Sequence, residues 1–151
     1  MSTRFTWAVS VAAIALVLAG CSSQPPEYTP APGTLVAGTA QVTVNGADAG
    51  TTDLVQCDPA GTLMIMKTGD PKNPEAPGIS AMVQSRDELV VREVGILDLG
   101  GFTGSYNDGL GGEASVSMTG RTYNIQGTAD GFATDNPSFR TTGNFQIKIA
   151  C

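Results

Sequence analysis

The sequence predicts an all-β domain, an antiparallel β-sandwich or partly open barrel of about eight or nine strands with one disulfide. Apolar residues recur at every second position from Gly38 to the end, which is the period of a strand with one buried face. Nineteen glycines and nine prolines break these runs into short segments. Beyond the N-terminal apolar run, no window carries apolar residues at helical spacing.

The strands follow in order. Ala40, Val42 and Val44 alternate with Gln41 and Thr43, and Asn45-Gly46 then supplies a two-residue hairpin turn. Leu54–Cys57 and Leu63–Met66 read as two strands joined through Asp58-Pro59-Ala60-Gly61. Asp70–Gly78 (DPKNPEAPG) is too rich in proline for regular structure and reads as an exposed loop. Ile79–Gln84, Leu89–Leu99 and Phe102–Tyr106 come next, then a glycine-rich turn at Asn107–Gly112. Ala114, Val116 and Met118 alternate with Ser115, Ser117 and Thr119, and Tyr123 and Ile125 with Asn124 and Gln126. In the last strand Phe145, Ile147, Ile149 and Cys151 share one face.

The N-terminus has a different grammar. Residues 1–20 hold one positive charge, Arg4, an apolar run Trp7–Leu18 interrupted only by Ser10, and a small-residue exit. About a dozen apolar residues are too few to span a bilayer, which needs about 20, but they suit a signal peptide. Leu18-Ala19-Gly20-Cys21 resembles the lipobox of bacterial lipoproteins. That resemblance implies diacylglycerol on the Cys21 thiol, cleavage before Cys21, and fatty chains such as palmitate at the new N-terminus. Each buried methylene contributes about 0.8 kcal/mol, so two or more chains make a stable anchor. The expected location is the extracytoplasmic face of the cell membrane. Residues 21–37 then read as a tether with four prolines, extended at about 3.1 Å per residue. Thr29 and Thr34 lie near those prolines and are candidate glycosylation positions. Residues 38–151 form the folded domain.

Composition excludes several function classes. The full chain has a formal charge of −6, and loss of Arg4 leaves seven Lys and Arg against fourteen Asp and Glu, or −7. The basic residues are scattered singly, so nucleic acid is not an expected partner. With no histidine, the usual general base, the Ser-His and Cys-His relays and the commonest zinc ligand are all missing. The aspartates lack the register of a calcium loop, and Asp-Gly at 108–109 and 130–131 is ordinary turn chemistry. The Gly-rich segments at 100–101 and 109–112 lack the lysine and helix of a phosphate loop. No cofactor or metal is expected, and no catalytic residue can be named, so the domain reads as non-enzymatic.

With Cys21 lipidated, Cys57 and Cys151 remain as an even pair in an oxidising compartment, which favours a structural disulfide. The sharper alternative is a catalytic thiol, though neither cysteine has a CxxC neighbour or a histidine.

Several stretches carry a wider likeness. Val91-Arg92-Glu93-Val94-Gly95 through Gly104-Ser105-Tyr106, Gly111–Val116, Tyr123–Ala129 and Asp135-Asn136-Pro137 resemble the mycobacterial 19 kDa lipoprotein antigen family (LpqH-like lipoproteins). The lipobox and the placement of Cys57 and Cys151 fit as well. The resemblance implies an acylated surface antigen, sensed by host innate receptors chiefly through its acyl chains, and it transfers no catalytic residue. This chain departs from the family in a tether richer in proline than in threonine and in the loop Asp70–Gly78.

A pair of hypotheses follows for the domain itself. The leading one is display of a β-domain that holds a lipid or glycolipid in an apolar groove. Met64, Met66, Met82, Ile96, Phe102 and Met118 are its candidate lining, because methionine conforms to irregular ligands. The alternative is a structural or adhesion protein that contacts another envelope protein or a host receptor through loops such as Asp70–Gly78.

Overall fold

A computed structural model describes residues 27–151. Every regular element in it is a strand: β1 Ala40–Val44, β2 Ala47–Thr52, β3 Val55–Ala60, β4 Leu63–Thr68, β5 Gly78–Gln84, β6 Val90–Leu99, β7 Phe102–Asn107, β8 Ala114–Thr119, β9 Thr122–Ala133 and β10 Asn136–Ala150. The all-β expectation is borne out, with ten strands.

All pairings are antiparallel, and the strands form one continuous sheet in the order β2-β1-β10-β9-β7-β6-β5-β4-β3. β9 has two neighbours on one side. Its first half pairs with β8, Thr119 opposite Thr122, and its second half with β7, Ser105 opposite Asp130. Here the sheet turns a corner and curls into a nearly closed barrel. The register shifts within β6 and at the start of β10, and such bulges bend a strand where a sheet must curve.

The turns follow local chemistry. Asn45 and Gly46 both have positive φ, 51° and 77°, as a two-residue hairpin with the sheet's own twist requires. Gly120-Arg121 closes β8 to β9 in the same number of residues, with Gly120 at φ 59°.

The core fills the barrel interior. Val42, Val44, Met66, Val83, Val94, Ile96, Phe102, Ile125, Phe145, Ile147 and Ile149 are all buried. In β10 burial alternates strictly from Phe145 to Ile149, as the two-residue period predicts. Burial also pushes the Tyr123 phenol above its ordinary pKa.

Cys57 in β3 is bonded to Cys151, just past β10, with Cα atoms 5.9 Å apart. β3 is the last strand of the order and pairs only with β4. The disulfide therefore ties one end of the sheet to its interior, closing covalently what the backbone ladder leaves open.

Three details differ from the sequence reading. β2 (ADAGTT) leaves no alternation in the sequence, because it is exposed along almost its whole length. β3 runs on through Pro59, which its position at the sheet edge tolerates. β9 and β10 extend to a hairpin tip at 134–135, and residues 136–142, Phe139 among them, are exposed without a break.

Candidate functional site

A concavity of about 640 Å³ lies on the outer face of β4, β5 and β6, walled by the loop from Gly69 to Pro77. Alternation builds it. Met66, Ala81, Val94 and Ile96 point into the core, so the intervening residues point outward. Two cross-strand rows result, Ile65–Met82–Glu93 and Lys67–Ser80–Gly95. Leu97, opposite Gly78, extends the apolar part, and its side is 37% exposed. A Cβ on Gly95 would stand 2.6 Å from the Ser80 hydroxyl, so glycine keeps the floor low at this point.

The wall is ordered by its own residues. Asp70 Oδ1 accepts from the Lys72 backbone N–H (2.8 Å), and Asn73 Oδ1 from that of Glu75 (3.2 Å), two successive turns of the kind Asx residues favour. The loop is anchored at both ends, by Gly69 N–H to the Leu54 carbonyl (3.1 Å) and Ile79 N–H to Thr68 Oγ1 (3.0 Å). The groove thus offers an apolar strip with a cation, Lys67, and carboxylates, Glu93 and Asp70, at its margins.

The candidate lining residues do not gather round one cavity. Met82 and Ile96 border this groove, the latter from the core side. Met66 and Phe102 are enclosed in the core, and Met64 packs half-buried against it. Met118 is 41% exposed on β8. Sequence reading missed Lys67 and Gly95 as groove residues. A glycine inside a strand pattern was the one available signal for them.

Cys21 and the whole of residues 1–20 lie outside the described residues. Thr29 is exposed. Thr34 is half-buried, and its hydroxyl donates to the Ala31 carbonyl at 2.7 Å. The chain from there onward rests on the domain: Leu35 N–H donates to Thr122 Oγ1 (3.0 Å) and Gly38 N–H to the Ala150 carbonyl (2.8 Å). The N-terminal segment therefore leaves from the pole that holds the β8–β9 turn and the end of β10.

Among the described residues no three of Asp, Glu, Cys and His are grouped to hold a metal ion. The described ion pair, Arg92 with Asp108, is solvated on the surface, where such pairs contribute about 0–1 kcal/mol.

A ten-stranded, nearly closed barrel tied by one disulfide defines the class, a small all-β domain. Comparison with known proteins narrows the class. The profile of the Mycobacterium 19 kDa lipoprotein antigen family matches residues 33–151, and this chain belongs to that family. It is 33% identical over 147 residues to a putative lipoprotein of Mycobacterium indicus pranii, covering 97% of each chain. A putative lipoprotein of Mycobacterium avium subsp. hominissuis is 32% identical, over 100% of this chain and 97% of its own length. Lipoprotein LpqH of Mycobacterium tuberculosis is 33% identical over 112 residues, 74% of this chain and 68% of that protein.

Proposed function

We propose that this lipoprotein is anchored at Cys21 to the extracytoplasmic face of the membrane and presents a non-enzymatic β-domain whose outer groove holds an amphiphilic ligand, a lipid or glycolipid. Support for the anchor comes from the Leu18–Cys21 lipobox, the family, and the departure of the N-terminal segment from one pole of the domain. The groove carries the ligand reading. Its Ile65, Met82 and Leu97 strip suits a hydrocarbon segment, and Lys67 at its margin suits an anionic or hydroxylated head. Host innate receptors would then meet the acyl chains, while the domain stands apart from them.

The anchor is tested by Cys21→Ala, which is expected to move the protein from the membrane to soluble fractions and to abolish palmitate labelling. Continued membrane retention would contradict the assignment. The ligand is tested by native mass spectrometry of the full-length protein purified from its host. A bound lipid mass is expected, and Met82→Gln with Leu97→Asp should lower its occupancy at least about tenfold, since one buried apolar side chain is worth roughly 1.5–3 kcal/mol. An empty wild-type domain, or equal occupancy in the variant, would remove the ligand reading.

The ordered loop supports a second reading, contact with another envelope protein or a host receptor. A wall held by Asp70 and Asn73 presents one fixed shape to a partner. A domain that is empty of lipid and retains a protein partner sensitive to Asp70→Ala would favour it.

A further inference from the structure

Within the described residues, β2, β3 and β8 each pair on one side only. An open edge presents unpaired N–H and C=O groups to any passing strand, and natural sheets blunt it with charge, proline or cover. β3 carries Asp58 and Pro59 and is bridged to Cys151. β2 carries Asp48 and a Gly50 at φ 90°. β8 reads ASVSMT, with neither charge nor proline nor glycine. β6 passes near it, but no ladder joins the two. Because Thr119 and Thr122 close a two-residue hairpin, Thr119, Ser117 and Ser115 bond to β9. The backbone groups of Met118, Val116 and Ala114 then point away from the sheet.

We infer that β8 is a docking edge for β8 of a second copy of this chain, antiparallel about a twofold axis at Ser117. The strand is complementary to itself in that register. Ser117 meets Ser117 and Val116 meets Met118, and at both ends Glu113 stands opposite Arg121, the two residues that flank the strand. Arg121 donates one N–H to the Cys151 carbonyl and has further donors for the carboxylate. The outward-pointing residues then face each other, as a ladder needs, and the exposed Met118 gains an apolar cross-strand neighbour. A slip of one residue sets outward backbone groups against inward ones. Centring on Val116 instead leaves Glu113 opposite Thr119, with no charge pair. The charge pairs decide the occupant. A mature chain of net charge −7 repels a copy of itself unless opposite charges meet at the contact. Six residues make a small interface, and confinement of lipid-anchored copies to one surface raises their effective concentration.

The register is tested by cysteine cross-linking of the full-length lipidated protein in its own envelope, with copper–phenanthroline as oxidant. Opposed residues of a non-hydrogen-bonded pair have Cα atoms about 4.5 Å apart, within disulfide reach. Two copies of residue 115 would be about 13 Å apart. Ser117→Cys is therefore expected to give at least about tenfold more 117–117 dimer than Ser115→Cys gives at its own position. Adding Met118→Lys to Ser117→Cys should remove the dimer, with folding verified by the intact Cys57–Cys151 bond. A folded Ser117→Cys protein that stays monomeric overturns the inference. So does equal cross-linking at 115 and 117, or a dimer that survives Met118→Lys.

Discussion

The Cys57→Ser, Cys151→Ser double variant is expected to lose about 4–5 kcal/mol of stability, the largest effect of any substitution considered. The bridged residues are 94 apart in sequence. In the chain-entropy description, opening a loop of that length returns most of its conformational freedom to the unfolded chain. A native-state effect acts in the same direction. β3 is held by one ladder, to β4, and both cysteines pack against the core. Without the bond, β3 becomes a free terminal strand over an apolar interior. The melting temperature should fall by roughly 15–25 °C for a domain of this size. Denaturant unfolding of the variant, set beside wild type with and without reductant, measures the difference. A loss below about 1 kcal/mol would mean that the barrel closes without its covalent tie.

Phe102→Ala is expected to cost about 3–5 kcal/mol, in the range for a fully buried aromatic residue. Phe102 is 1% exposed, at the start of β7 where the sheet turns its corner. Its ring lies on the backbone of two glycines. A Cβ on Gly104 would come within 2.6 Å of the ring, and one on Gly143 within 2.8 Å. The ring therefore fills space that any other residue at 104 or 143 would take. Gly143→Ala should destabilise the wild-type protein and be much less harmful once Phe102 is alanine, a coupling of roughly 1–3 kcal/mol in a double-mutant cycle. Chemical denaturation of the four proteins decides this, and strict additivity would show that the ring and Gly143 do not share that space.

Much of the strand inventory was legible in the sequence because half-buried strands write their burial as alternation. Val42–Val44, Tyr123–Ile125 and Phe145–Ile149 are such cases. What escaped has the same cause. β2 and the first half of β10 are exposed on both faces, so burial left no pattern there. Leu63–Met66 is apolar at four successive positions, so alternation there does not tell the buried face from the outer one. In the folded domain Met66 faces the core, while Ile65, half-buried, lines the outer groove. The groove was hidden because, although β4, the loop, β5 and β6 follow one another in the chain, only their pairing register sets Ile65 beside Met82 and Lys67 beside Ser80.

Local chemistry alone therefore specified the strand class, the turn at Asn45-Gly46, and the availability of Cys57 and Cys151 for pairing. Period-2 patterning and turn propensity act within a few residues, so they can be read along a line. Strand order, the shared side of β9 and the bare edge of β8 depend on which distant segments share a core. Packing settles those, because many strand orders bury the same apolar faces and only their fit in three dimensions separates them.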